Sequence, residues 1–259
     1  MPPPPKRLGA PWIELQQVDS TNNYATALVH AGRGAPGTAV FAREQTNGKG
    51  QRGKSWWADP GANITGSLIL APPALSLPRS FPFSMALALG AQRFFAAYAG
   101  TETSVKWPND LYWRDRKAGG ILVENILAGA DWRCAVAGFG ININQTDFGE
   151  AAGRAVSLKQ ITGKDWEVPA LARELAGWVE AALDELGQDP QATVDAYHAV
   201  LFQRGEVVRL RKGGRVFAAT VLGVTESGEL RVRHAVEECF GVGEVEWVFT
   251  DRPSLRGGA

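Results

Sequence analysis

Cysteine is scarce: Cys134 and Cys239 are the only two in 259 residues, and no Cys-x-x-Cys pair or Cys/His cluster occurs. This excludes a disulfide framework and gives no reason to expect a zinc site or any other protein-built metal site. Histidine is equally sparse. His30, His198 and His234 share no motif and read as surface or structural residues. Net charge is also missing, with Lys+Arg 27 against Asp+Glu 27. That argues against a general affinity for DNA, RNA or anionic lipid, while leaving room for a local basic loop. No window approaches about 18 consecutive apolar residues, so no membrane span is expected. Met1 to Lys6 is a proline run without the apolar stretch of a signal peptide, and Pro2–Pro5 should be an extended lead-in. A cytoplasmic, reducing location is the expectation.

Hydrophobic residues make up 45% of the chain, enough for a packed core. Trp12–Leu15 reads as a strand running into Asp19-Ser20-Thr21-Asn22, which are helix-capping residues. A helix then follows on Tyr24, Ala27, Leu28 and Ala31, with Gly32 at its end. Further strands are expected at Thr38–Ala42, Ile64–Leu70, Ser104–Trp107 and Arg133–Phe139. A hairpin is expected with Leu111–Trp113 and Gly120–Glu124 flanking the polar Arg114–Lys117. Ser80 and Pro82 open a long apolar helix closed by Gly100. Val168, Leu171, Leu175, Val179, Ala182 and Leu186 mark an amphipathic helix, and Pro190 starts another. Strands joined directly by hairpins and interspersed with helices predict an α+β fold. Its sheet should be mixed and largely antiparallel, with helices on one face. After Gly205 the chain becomes β-rich, with turns at Gly213-Gly214 and Ser227-Gly228. The predicted division is therefore a first domain over 1–204 and a small all-β module over 205–259.

Three segments carry candidate chemistry. Gln45 to Trp57 breaks every periodicity and contains Gly48-Lys49-Gly50-Gln51-Arg52-Gly53-Lys54-Ser55-Trp56. Glycines let backbone N–H groups approach an anion, and three cations sit among them. The spacing is neither that of a P-loop nor of a Rossmann turn, and a flexible basic surface loop is an equal reading. Lys106-Trp107-Pro108-Asn109-Asp110 is followed by Lys117-Ala118-Gly119-Gly120. A hairpin would bring both lysines and Asp110 towards one end of the sheet; a solvated hairpin with charged tips is the plainer alternative. Gly138-Phe139-Gly140-Ile141-Asn142-Ile143-Asn144 places asparagines in an apolar run, where buried amides need partners, if only neighbouring backbone.

Taken in order, these motifs resemble the biotin–protein ligase family, closely over Asp19 to Asn144 and more loosely over the β-rich end. The resemblance implies a catalytic core like that of class II aminoacyl-tRNA synthetases and a C-terminal SH3-like barrel. It implies ATP and biotin as substrates with Mg²⁺, and a biotin carboxyl carrier protein or domain as the acceptor. Ser20, Thr21, Asn22, Gln45 and Lys49 would line the biotin pocket, and the loop glycines Gly48 and Gly50 would approach the ligand. Lys117 would meet the biotin carboxylate and then the adenylate phosphate, beside Gly119 and Gly120. Lys106 and Arg52 would add positive charge at the reacting centre. Asn109 and Asn142 would face the nucleotide, and Trp56 would pack near adenine. Asp110 would either orient Lys106 or receive a proton from the incoming lysine. The family pattern is arginine-rich through the glycine loop; Lys49 and Gln51 stand here in place of two arginines, and Gln51 brings no charge. About a dozen residues precede the first strand, too few for the DNA-reading helix-turn-helix of some members, so no nucleic-acid partner is expected. A lipoate–protein ligase of the same fold and a non-catalytic binding module are the rival readings. Monomer and homodimer stay equally open.

Overall fold

The structure, a computed structural model, describes residues 8–73, 80–129 and 131–249. The expected proline lead-in lies outside the described residues. The chain separates into two compact units, Met1–Phe202 and Gln203–Ala259.

The first unit opens with β1 (Trp12–Val18), α1 (Thr21–His30) and β2 (Ala39–Gln45). β1 and β2 run parallel, with α1 as their crossover. β3 (Ile64–Leu70), the long helix α2 (Phe81–Ala99), β4 (Thr103–Lys106), β5 (Asp110–Trp113), β6 (Arg116–Ala128) and β7 (Asp131–Ile141) follow. The seven strands form one sheet in the order β1-β2-β3-β7-β6-β5-β4. Every pair but β1/β2 is antiparallel. The sheet is thus mixed, as its hairpin-rich sequence predicts.

Helices lie on both faces of the sheet, a correction to the expected single face. Val40 and Phe41 are neighbours in β2 and point to opposite sides. On the Val40 side, Ala25, Leu28 and Val29 of α1 pack with Ile69, Val136 and Cys134. On the Phe41 side, Leu68 and Phe139 meet Ala172, Leu175 and Ala176 of α4 (Val168–Gln188). The stripe that predicted α4 is its buried face. Fully burying one such aliphatic side chain contributes about 1.5–3 kcal/mol. The reason for two covered faces is the βαβ crossover, which sends α1 to one side while α2 and α4 pack together on the other.

α5 (Pro190–Ala199) starts at its proline, with the Asp189 side chain accepting from Ala192 N at 3.0 Å. The short α3 (Leu158–Thr162) was not anticipated. Its signal is a capping box: Ser157 Oγ accepts from Gln160 N at 3.2 Å, and Gln160 Oε1 from Ser157 N at 3.1 Å.

The second unit is a five-stranded antiparallel sheet: β8 (Val207–Lys212), β9 (Arg215–Val224), β10 (Leu230–Arg233), β11 (Glu237–Phe240) and β12 (Glu246–Trp247), in the order β11-β10-β9-β8-β12. Val208, Leu210, Val221, Leu230, Val232 and Phe240 are buried in it. No described helix is long and apolar enough to cross a membrane.

Candidate active site

Strand register assembles the site. Residues directly opposite on adjacent strands share a face. One such row crosses five strands: Thr65 (β3), Gly140 (β7), Gly120 (β6), Asp110 (β5) and Lys106 (β4). The adjacent row is Val40, Ser67, Gly138 and Leu122. Both lie on the α1 side of the sheet. The three glycines leave a floor without side chains, bounded by charge on one side and by the mouth of α1 on the other.

At the charged end, Lys117 Nζ lies 2.6 Å from Asp110 Oδ1. A Cβ on Gly120 would lie 3.3 Å from that carboxylate oxygen and 3.5 Å from Nζ, so the glycine floors the ion pair. The Lys117 backbone is held on two sides. Its N–H donates to Arg154 O at 2.7 Å, and its carbonyl accepts from Val156 N at 2.9 Å. Lys106 stands over the Tyr112 ring, 5.5 Å from its centroid. Burial, together with the like charges of Lys117 and Lys54, pushes the Lys106 ammonium down to about 8, against the pull of Asp110. The expected convergence of Lys106, Lys117 and Asp110 is present in the geometry.

At the other end, Ser20, Thr21 and Asn22 are buried at the start of α1. The Ser20 side chain makes no capping hydrogen bond. Gln45 Oε1 accepts from Thr21 N at 2.8 Å and from Thr21 Oγ1 at 3.1 Å. Asn22 Nδ2 donates to Glu124 Oε2 at 2.7 Å, while its Oδ1 lies 2.6 Å from Ser67 Oγ. Ser67 Oγ is also 2.8 Å from Thr21 Oγ1. α1 approaches the sheet this closely because residue 138 is glycine. A Cβ there would sit 2.3 Å from Asn22 Oδ1.

The glycine-rich loop folds back over the floor as a small lobe. Trp56 N donates to Gly48 O at 2.8 Å and Gly50 N to Lys54 O at 2.6 Å, around a tight turn at Gln51–Gly53. A Cβ at Gly48 would meet Trp56 O at 2.4 Å, so glycine is required for this closure. Trp56 lays its ring on Gly140, 2.5 Å from where a Cβ would stand. Lys117 Nζ is 6.0 Å from the Trp56 ring centroid. The Trp56 indole N–H is buried with no hydrogen-bond partner among the described residues. Lys49 reaches back to Glu124, Nζ to Oε1 4.0 Å.

Three further expected site residues have their own settings. Arg52 is exposed at the loop tip with φ 58°. Asn109 donates its amide to Ile121 O and receives Ile121 N–H on its own carbonyl at 3.0 Å, bracing β6. Asn142 is buried and donates to Val156 O at 3.1 Å, bracing the segment beside Lys117. In this structure both amides are committed to the backbone rather than presented to the floor. Ser67 and Glu124 were not anticipated. Glu124 carried a signal, a charge at an alternate position of the apolar series Leu122-x-Glu124-x-Ile126; Ser67 follows Thr65 on its face and carried none.

The chain is similar to known proteins. The Biotin/lipoate A/B protein ligase family model matches residues 14–142. The biotin–acetyl-CoA-carboxylase ligase of Paracoccus denitrificans is 32% identical over 229 residues, which is 85% of this chain and 92% of that protein. The chain belongs to this ligase family. The ligase of the same name from Mycobacterium tuberculosis is 28% identical, over 86% of this chain and 84% of its own. Among solved structures, the biotin protein ligase of Aquifex aeolicus in complex with biotin and ATP superposes with a TM-score of 0.77 at 25% identity. It covers 95% of this chain and 100% of its own. The described residues of this family member thus share that α+β fold, and the glycine floor, both lysines and the α1 mouth all fall within the span matched by the family model.

Proposed function

We propose that this chain is an ATP-dependent biotin–protein ligase that makes biotinyl-5′-AMP and transfers biotin to a lysine of a biotin carboxyl carrier protein or domain. The observation that carries this reading is the row Gly140-Gly120-Asp110-Lys106 with Lys117 paired to its carboxylate. It is a bare floor long enough for an extended acid, with two cations at one end and hydroxyl and amide groups at the other. Relatives named for biotin support the choice of acid.

Two displacements follow. The biotin carboxylate attacks the α-phosphorus of ATP and pyrophosphate leaves. The carrier ε-amine then attacks the acyl carbon and AMP leaves. Negative charge grows on phosphate oxygens, so positioned cations and backbone donors supply most of the stabilisation, and no enzyme nucleophile is required. Lys117 holds the carboxylate and then the adenylate phosphate, with Asp110 orienting its ammonium. Lys106 adds charge beside the reacting centre. Ser20, Thr21, Asn22, Gln45 and Lys49 receive the ureido ring, which both donates and accepts. Trp56 packs near the adenine, and the loop backbone from Gly48 to Gly53 closes over the intermediate. Asn109 and Asn142 serve from beneath by holding β6 and the Lys117 backbone. Mg²⁺ enters with ATP. Among the described residues, no group of three or more His, Cys, Asp or Glu side chains could hold a metal. An ion carried in on ATP would neutralise phosphate charge, and no step is assigned to it. The first unit is read as a core like that of class II aminoacyl-tRNA synthetases and the second as an SH3-like barrel, working in the cytoplasm without nucleic acid. Biotin-dependent exchange of labelled pyrophosphate into ATP tests the reading. Exchange with biotin and none with lipoate is expected; exchange with lipoate alone, or with neither acid, would refute it.

A further inference from the structure

Glu124 is a carboxylate that register places beneath the base of the glycine-rich loop. It stands opposite Val136 on the face that carries Ile126 into the α1 core, where a charged residue is out of keeping with its neighbours. Two elements that approach from above meet it. Asn22 at the mouth of α1 donates to one oxygen at 2.7 Å, and Lys49 at the base of the loop lies 4.0 Å from the other. Asn22 is buried, and the bond to Glu124 fixes which way its amide points. With Nδ2 committed to Glu124 and to Leu122 O at 3.4 Å, Oδ1 is turned to Ser67. Lys49 is the loop side chain that, among the described residues, reaches the strand floor through an ion pair. A single carboxylate therefore ties three elements together: the helix mouth, the sheet and the loop.

We infer that Glu124 is a positioning residue, a latch that holds the glycine-rich loop down on the sheet through Lys49 and sets the orientation of Asn22. Its importance for biotin rests on the ligase reading; its action on the loop does not. The ion pair is long and part-exposed, with side chains 42% and 38% accessible, so its effect is modest. The loop is a light load, however: its base is tied by Thr46 N to Val18 O and Asn47 N to Asp19 O, and beyond Lys49 it is anchored by backbone bonds to itself and by Trp56 on Gly140.

Glu124→Gln separates the two tasks. It keeps an acceptor for Asn22 and removes the charge facing Lys49. The first arm needs no ligand: tryptic cleavage after Arg52 and Lys54 in the folded protein, followed by mass spectrometry. Cleavage is expected to quicken about two- to fivefold in Glu124→Gln, the range an exposed ion pair supports. Lys49→Met should quicken it equally, and the double variant no further. Unchanged cleavage in Glu124→Gln, or additive effects in the double variant, would overturn the latch. The second arm is pyrophosphate exchange. The latch is expected to raise the KM for biotin about two- to fivefold in Glu124→Gln with a much smaller change in kcat, since it holds the binding loop rather than the reacting atoms. A change in kcat alone would overturn its link to biotin binding. Wild-type protein without any biotin-dependent exchange would refute the ligase reading, and the proteolysis arm would still decide the latch.

Discussion

Lys106 and Lys117 face one carboxylate from neighbouring strands, and their differing surroundings separate their tasks. Lys117 has its charge matched by Asp110 at 2.6 Å and its backbone pinned on both sides. Removing one partner of such a pair costs about 2–5 kcal/mol where the pair is desolvated, which corresponds to roughly thirty- to several-thousand-fold in rate. Lys117→Ala is therefore expected to lose adenylate formation by at least about thirtyfold. Its urea midpoint should stay near that of the wild type, because the lysine side chain is 36% accessible and adds little to the fold. Wild-type exchange rates in the folded variant would remove that lysine from the mechanism. Lys106 is different, since burial holds its ammonium down to about 8. Below that pH it carries the charge the reaction needs, and above it the charge is lost. Pyrophosphate exchange is expected to fall on an alkaline limb near pH 8. Lys106→Arg, which cannot deprotonate in this range, should remove the limb whatever it does to the maximum. A limb that persists in Lys106→Arg would assign it to another group. The same shift has a stability sign. Between about 8 and the ordinary lysine value, the unfolded chain binds more protons at this residue than the folded one. Its contribution to stability therefore rises with pH across that window, and the full cost of burying the charge is carried below it.

The elements owe their approach to two glycines in β7, and these respond differently to a methyl group. At Gly138 the added Cβ meets Asn22 Oδ1 at 2.3 Å, and Asn22 is buried and tied to Ser67 and Glu124. Nothing there moves without lifting the start of α1, so Gly138→Ala should cost about 1–3 kcal/mol of stability. At Gly140 the obstacle is the Trp56 ring on the loop, which can swing away. Gly140→Ala should leave stability within about 0.5 kcal/mol, the usual range for changes outside the core, while unseating Trp56 and weakening biotin binding. Urea unfolding of both variants checks the contrast, and equal losses would contradict it. The sequence announces much of this framework. Ile64–Leu70 is a strand at both of its expected ends, Pro82 and Gly100 bound α2, and the apolar stripe of α4 is its buried face. Lys106, Asp110 and Lys117 were legible because a hairpin forces their convergence. The face taken by α1 was not legible, since it depends on how a parallel crossover winds, which no local pattern carries. Ser67 and the role of Glu124 escaped for a related reason: Ser67 looks ordinary beside Thr65, and the charge of Glu124, visible in its strand, gains a meaning only when the mouth of α1 is laid over it. Asn109 and Asn142 read as ligand-facing amides, yet in this structure they donate to backbone carbonyls, Asn109 to Ile121 O and Asn142 to Val156 O.

At the scale of the molecule, every residue proposed to touch biotin or ATP precedes Gln203, while the second unit has its own buried set in Val208, Leu210, Val221, Leu230, Val232 and Phe240. A small sheet of this kind buries a limited core, and its stability is correspondingly marginal. Opening within a protein follows such cooperative units, each with its own free energy. A ligand stabilises only what must open to release it, by RT ln(1 + [L]/Kd), which is about 2.7 kcal/mol at a hundredfold excess over Kd. Hydrogen exchange on the full chain can therefore locate the site by thermodynamics alone. With biotin near a hundredfold over its Kd, amides of β3, β6 and β7 that exchange by opening of the first unit should slow by up to about a hundredfold. Amides of β8, β9 and β10 should exchange at their ligand-free rates. Equal slowing in both sets would show that the second unit opens only together with the biotin-binding one, or that it supplies part of the binding surface. Only the second would contradict the assignment of the whole biotin site to residues before Gln203; slowing of β8, β9 and β10 beyond that of β3, β6 and β7 would identify it.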